Sequence, residues 1–208
     1  MNKGRKAMAV VIVVLFVIVV LGFFVYQNNK PGAAQEQQEV VISPVDEVVL
    51  RDLDRFYPPT PKEVLKYYSE ITTCLYQTEL TEEDLRRLAQ TARKLYDEEL
   101  CMGMTEEEYV ESLREDVLEF NSMGVVVSGY TISSSTDVEE YQIDGREYAK
   151  LYVTYRLRQS TEYIYTNEVF VMRRDESGHW KILGWQLLDE DEVEELQSEQ
   201  IAEEANIK

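Results

Sequence analysis

Residues 144–158 read DGREYAKLYVTYRLR, and this stretch decides the fold. Ala149, Leu151, Val153, Tyr155 and Leu157 fall on one parity, and Lys150, Tyr152, Thr154, Arg156 and Arg158 on the other. Such alternation marks a strand with one buried and one wet face, which an antiparallel sheet permits and a fully covered parallel sheet does not. Asp144-Gly145 separates this run from residues 138–143. Asp-Gly is the favoured two-residue hairpin turn, because both central positions take positive φ.

Outward from this hairpin the pattern continues. Gln159-Ser160 breaks the run, and residues 161–173 are again rich in Tyr, Ile, Val and Phe. The loop Asp175-Glu176-Ser177-Gly178 leads into a closing strand over 179–188, and residues 124–132 supply a first strand, ended by Ser133-Ser134-Ser135. The reading predicts five antiparallel strands in series, a meander. Gly184 stands between Trp180 and Trp185, which strict alternation would place on opposite faces. A glycine inside a strand marks a bulge; one extra residue brings both rings to one side and bends the sheet.

Three helices precede the sheet, each announced by a threonine cap. Thr60, Pro61 and Glu63 form a start signal, followed by Val64, Tyr68, Ile71 and Leu75 at helical spacing. Thr81 starts a second helix carrying Leu85, Leu88, Ala92 and Leu95, and Thr105 with Glu108 starts a third carrying Tyr109, Val110, Leu113, Val117 and Phe120. Met123-Gly124 stops it. The aromatic stripes read as core.

Residues 7–26 carry no charge and are dominated by Val, Ile, Leu and Phe. At a rise of ~1.5 Å per residue this length spans ~30 Å, the hydrocarbon thickness of a bilayer. Lys3, Arg5 and Lys6 precede it and only Lys30 follows closely. The bias predicts an uncleaved single-pass anchor in the cell membrane, with residues 1–6 cytoplasmic and the C-terminal domain extracytoplasmic. The competing reading, a cleaved signal peptide, calls for an apolar region of only ~7–15 residues and a small-x-small site, which Gly32-Ala33-Ala34 matches poorly. Neither cysteine lies near enough for a lipoprotein anchor.

The expected organisation is a linker over 27–45, one α+β domain over 46–188 and a solvated acidic tail over 189–208. Within 40–53 short apolar groups return, and the expectation is an extended segment lying on the domain, with a floppy stalk as the alternative. Beyond Lys30 the chain has 17 basic and 40 acidic residues, a formal charge of −23. That charge excludes nucleic acid, whose binders need a cationic footprint, and disfavours anionic headgroups apart from the anchor. Cys74 and Cys101 are the two cysteines. In an antiparallel pair of the first two helices they lie too far apart to bridge, so two buried free thiols are expected.

Motifs that carry chemistry are sparse. His179 is the single histidine, without the partners a zinc site or a general base requires. The acids around Asp189 and Asp191 lack the glycine and spacing of a calcium loop. There is no phosphate-binding glycine loop and no nucleophile elbow. Arg156, Arg158, Arg173 and Arg174 form either a patch able to grip a carboxylate or simply the counter-charges of Glu140, Glu162 and Glu168 on the wet face. No catalytic residue, metal ligand or cofactor is assigned.

Residues 178–185, GHWKILGW, after the charged loop 173–178, resemble the terminal strand of NTF2-like domains. The Tyr130 strand and the long 148–158 strand match that pattern, and the resemblance covers about 60 to 188. Residues 57–64, YPPTPKEV, also resemble uncharacterised membrane-anchored proteins of Gram-positive bacteria. The NTF2-like resemblance implies a cone, with a curved sheet wrapped round helices and a cavity that serves isomerases, dehydratases or ligand-binding modules, or is merely filled. Its enzymes hold an Asp, Glu or His inside with a tyrosine as oxyanion donor. Here the inward parity of the best-defined strand offers Tyr155 without a base. Tyr155, Trp180 and Trp185 are the candidate cavity-lining residues. The expectation is therefore a tethered binding domain for a protein or envelope component. A small-molecule sensor or isomerase/dehydratase-type enzyme is the alternative, and a dimerising element a third.

Overall fold

The computed structural model describes residues 43–76, 80–189 and 191–193. The chain divides into two units at residues 42 and 43, and all described residues belong to the second. The expected anchor, most of the linker and most of the tail lie outside the described residues. Among the described residues, no helix is long and apolar enough to cross a membrane.

The fold is α+β, a five-stranded antiparallel sheet with helices packed on one face. It opens with α1 (Pro44–Val49), whose N-terminus is capped by the Ser43 side chain, with Val45 and Val48 buried. The extended reading of 40–53 is thus corrected over this segment. Ser43-Pro44 is a cap and first-position proline, and the paired valines are one helical face rather than strand-like groups. The folded unit accordingly starts at Ser43, ahead of the expected 46.

The three expected helices are present: α2 (Pro61–Leu75), α3 (Glu82–Arg93) and α5 (Glu106–Ser122). Thr60, Thr81 and Thr105 each accept the backbone N–H three residues on. Only Thr105 and Glu108 complete the reciprocal box; Glu63 instead meets the Thr60 hydroxyl. A short α4 (Glu98–Cys101), capped by Asp97, was not legible from periodicity because it is a single turn.

The strands are β1 (Val125–Ile132), β2 (Glu139–Ile143), β3 (Arg146–Gln159), β4 (Glu162–Arg174) and β5 (Trp180–Leu188). Asp144 and Gly145 both have positive φ, as the hairpin requires. The meander is corrected at one point, because β1 does not pair with β2. β1 pairs with residues 153–159 of β3, and β2 with residues 146–150 of the same strand. The long β3 outreaches either partner, so the two share one of its edges end to end, separated by the 3-10 turn Ser135–Asp137. The bulge in β5 is as expected: Val171 pairs with Gly184 and Met172 with Ile182, leaving Leu183 extra. A second bulge leaves Ser128 extra in β1.

Inner-face residues Ala149, Leu151, Val153, Phe170, Met172 and Ile182 join one core with Val64, Leu65, Ile71 and Leu88 from the helices and Leu95 from the turn after α3, and all are buried. Each such side chain contributes about 1.5–3 kcal/mol by leaving water. Residues 95–97 close the free edge of β5: Ile182 N–H donates to Leu95 O and Asp97 N–H to Ile182 O, both at 2.8 Å. An edge so covered offers no template for a foreign strand.

Candidate functional site

The three sequence candidates share the helix-covered face but not one site. Tyr155 is buried, its hydroxyl 3.1 Å from Ser69 Oγ and its ring 6.5 Å from that of Tyr130. Burial pushes its phenol above the ordinary range. Trp180 is also buried; its carbonyl accepts from the Tyr57 hydroxyl at 2.9 Å, and the Arg174 guanidinium lies over its ring. Trp185 reaches the same face because of the bulge, and packs against Phe170, Tyr68 and Tyr96 at ring separations of 5.8–6.0 Å. It remains 43% exposed. Around Tyr155 and Trp180 the interior is packed, and Trp185 marks where packing stops.

Beyond that point the inner face continues without cover from the described residues. Leu187 is 60% exposed and Ile164 46%, although both belong to the face that elsewhere forms the core: Leu187 pairs with Glu168 and Ile164 with Leu157. Between them stands Glu168. It pairs with Val153 on one side and Leu187 on the other, so it points to the helices. The expectation that it lies on the wet face is corrected. The strand register sets its side, and its charge does not.

Glu168 is half-buried, and among the described residues it has no hydrogen-bond or ion-pair partner. Desolvation alone pushes its carboxyl up to about 7, with no nearby cation opposing. Its charge is felt by the hydroxyls of Tyr68 on α2, of Tyr76 at the C-cap of that helix and of Tyr155 on β3. The Tyr68 hydroxyl accepts from Tyr96, whose oxygen also lies 3.0 Å from that of Tyr109. This end of the face therefore combines one acid, several phenols, an indole and bare aliphatic surface. It suits recognition of a polar or cationic group on an apolar body.

Among the described residues the arginines neither gather into a patch nor pair with Glu140, Glu162 or Glu168. Arg173 is held by Asp97 and Glu99, and Arg174 by Glu147. Arg173 and Arg174, being adjacent, face opposite sides of the sheet, and both sit roughly 27–37 Å along β4 from Tyr165 and Tyr163, the partners of Arg156 and Arg158. Arg156 bonds to Ser128 and lies over the Tyr163 ring. His179 is half-buried against Tyr57, ring centroids 4.2 Å apart, with Nδ1 3.9 Å from Asp175. It borders an open cleft of about 630 Å³ that also takes in Arg55, Phe56, Glu63 and Lys66. Charges of both signs line that cleft without converging on one point. The cysteines are free thiols, but only Cys74 is buried; Cys101, on the surface-lying α4, is half-exposed. Among the described residues, no group of three or more potential metal ligands occurs.

The family described as Domain of unknown function (DUF6715) matches residues 1–185. The chain belongs to that family. The match takes in the apolar N-terminal segment together with the folded unit as far as Trp185, so both parts are features of DUF6715. No curated protein matches the chain.

Proposed function

We propose that this chain is a membrane-tethered, extracytoplasmic binding domain whose working surface is the open end of the helix-covered sheet face. One observation carries the reading: among the described residues, the face that buries Val153, Phe170 and Met172 runs out uncovered at Trp185, Leu187 and Ile164, around Glu168, which has no partner there. Folded domains rarely leave core-type surface bare without a use. The packed surroundings of Tyr155 and Trp180 favour binding over catalysis. The uncharged run over 7–26, with its basic N-terminal flank, supports the tether and the orientation. The helices-then-sheet order, the bulged strands and the GHWKILGW strand support an NTF2-like cone whose mouth is this open end.

A photoreactive residue placed at Leu187 in the full-length protein, in its own membrane, tests the reading. A discrete cross-linked species at 187 and none at Arg158, on the opposite face, is expected. Equal cross-linking at both positions, or none at 187, contradicts it.

Glu168 favours a second reading, a small-molecule sensor or isomerase/dehydratase-type enzyme that uses the same mouth. A bound small molecule carried through purification, seen as extra mass under native conditions and lost on denaturation, supports this reading over the first.

A further inference from the structure

A buried or half-buried carboxylate is normally accompanied by a cation or by N–H and O–H donors. Glu168 has neither among the described residues. Its cross-strand neighbours are the aliphatic Val153 and Leu187, Phe170 follows on its own strand, and Trp185 stands diagonally across β5. Diagonal pairs of this kind lie within reach of large side chains. From the helix side comes the ring of Tyr68. The Tyr68 ring sits 6.0 Å from that of Trp185 and 5.6 Å from that of Phe170.

We propose that the open end of this face is a site for an organic cation, a primary ammonium on an apolar stem, with Glu168 as its counter-charge and Trp185 and Tyr68 as aromatic walls. The proposal deepens the binding function above and rests on it.

The ligand class follows from what the site offers and refuses. A carboxylate without a neighbouring cation repels anions. A metal ion would find one carboxylate and no companion ligands among the described residues. Aromatic faces attract a cation beyond their contact area, and Leu187 and Ile164 leave apolar surface for the stem. The titratable groups that feel the Glu168 charge are the phenols of Tyr155 from β3, of Tyr68 from α2 and of Tyr76 at the C-cap of α2. β5 adds only Trp185 and Leu187, which do not titrate. A bound ammonium would lower the raised carboxyl midpoint, since it supplies the missing opposite charge. The same group can arrive on a free amine or on a partner's lysine.

The test uses the full chain in nanodiscs, with carboxylate-carbon NMR of Glu168 and two probes, phenethylammonium and neutral phenethyl alcohol. The amine should shift the Glu168 signal saturably and lower its titration midpoint by about one unit. The alcohol should bind about tenfold more weakly or worse, and Glu168→Gln should cost the amine a similar factor. The Gln variant is isosteric and removes a desolvated charge, so its thermal midpoint should hold or rise. No saturable shift, equal binding of the alcohol, or unchanged binding by Glu168→Gln overturns the proposal. A lysine-bearing tripeptide that outbinds the free amine assigns the ammonium to a protein partner; the reverse order assigns it to a small molecule. Persistent cross-linking at 187 with no amine binding removes this inference alone and leaves the partner-binding surface standing.

Discussion

Glu168 stands directly across from Leu187 on the helix-covered side of the sheet; Leu187 is exposed, and Glu168 has no hydrogen-bond or ion-pair partner among the described residues. The consequence for stability has a definite sign. The folded carboxyl titrates at about 7, against ~4.3 for an unfolded glutamate. Between those values the folded state binds more protons, so this group's contribution falls as pH rises and is fully lost above pH ~7. Allowing for residual solvent contact, the loss is on the order of 2 kcal/mol. Denaturant midpoints of wild type and Glu168→Gln should therefore coincide near pH 4.5 and separate towards pH 8, with the variant the more stable. A constant difference across that range contradicts the geometry.

The Arg173–Asp97 pair is the costliest ion pair to break. Arg173 Nε lies 3.0 Å from Asp97 Oδ2 and a second nitrogen meets Oδ1, with both side chains nearly buried. Asp97→Ala leaves a buried guanidinium with only Glu99 at its rim, and should cost about 3–5 kcal/mol in chemical denaturation. Glu147→Ala, which frees the exposed Arg174, should cost about 0–1 kcal/mol.

Trp180 and Leu187 should behave differently despite sharing a face. Trp180→Ala empties packed core and should cost about 3–5 kcal/mol. Leu187→Ser, on the bare end, should leave stability within about 0.5 kcal/mol while reducing capture of whatever covers that end. A large loss of stability from Leu187→Ser would show that the residue is core, and the binding surface would have to be sought elsewhere.

Tyr155 is assigned structure rather than chemistry. Its hydroxyl is the described partner of the fully buried Ser69 Oγ. Tyr155→Phe should cost about 1–2 kcal/mol through the orphaned serine and leave ligand or partner affinity unchanged. Lost affinity with unchanged stability would instead favour the oxyanion-donor role.

Most of the architecture was legible because it rests on local signals. Threonine caps, the Asp144-Gly145 turn and the parity of residues 149–157 each act over a few residues, and the elements they predict are present. The pairing of β1 was not legible. Nothing in 125–132 says whether its partner is β2 or the far half of β3; strand length decided it. The α1 helix was missed because its two buried valines also suit a strand. Glu168 was misplaced although the signal was present. Any two-residue turn after β3 pairs odd positions with even ones, so Glu168 had to share a face with Leu151, Val153 and Tyr155. A charge on that parity was read as wet, when its position made it the most informative acid in the sheet. Both readings of the arginines, a patch or counter-charges for Glu140, Glu162 and Glu168, missed for a related reason, since residue type alone did not reveal the partners Asp97, Glu99 and Glu147.

The most direct measurement is the titration midpoint of the Glu168 carboxyl in the full-length protein, followed by site-resolved carboxylate-carbon NMR. An unpaired acid at the open end of the sheet predicts a midpoint near 7. A midpoint in the ordinary glutamate range, about 4.3, would mean that the carboxylate is solvated or already paired, and the working surface proposed here would lose its central residue.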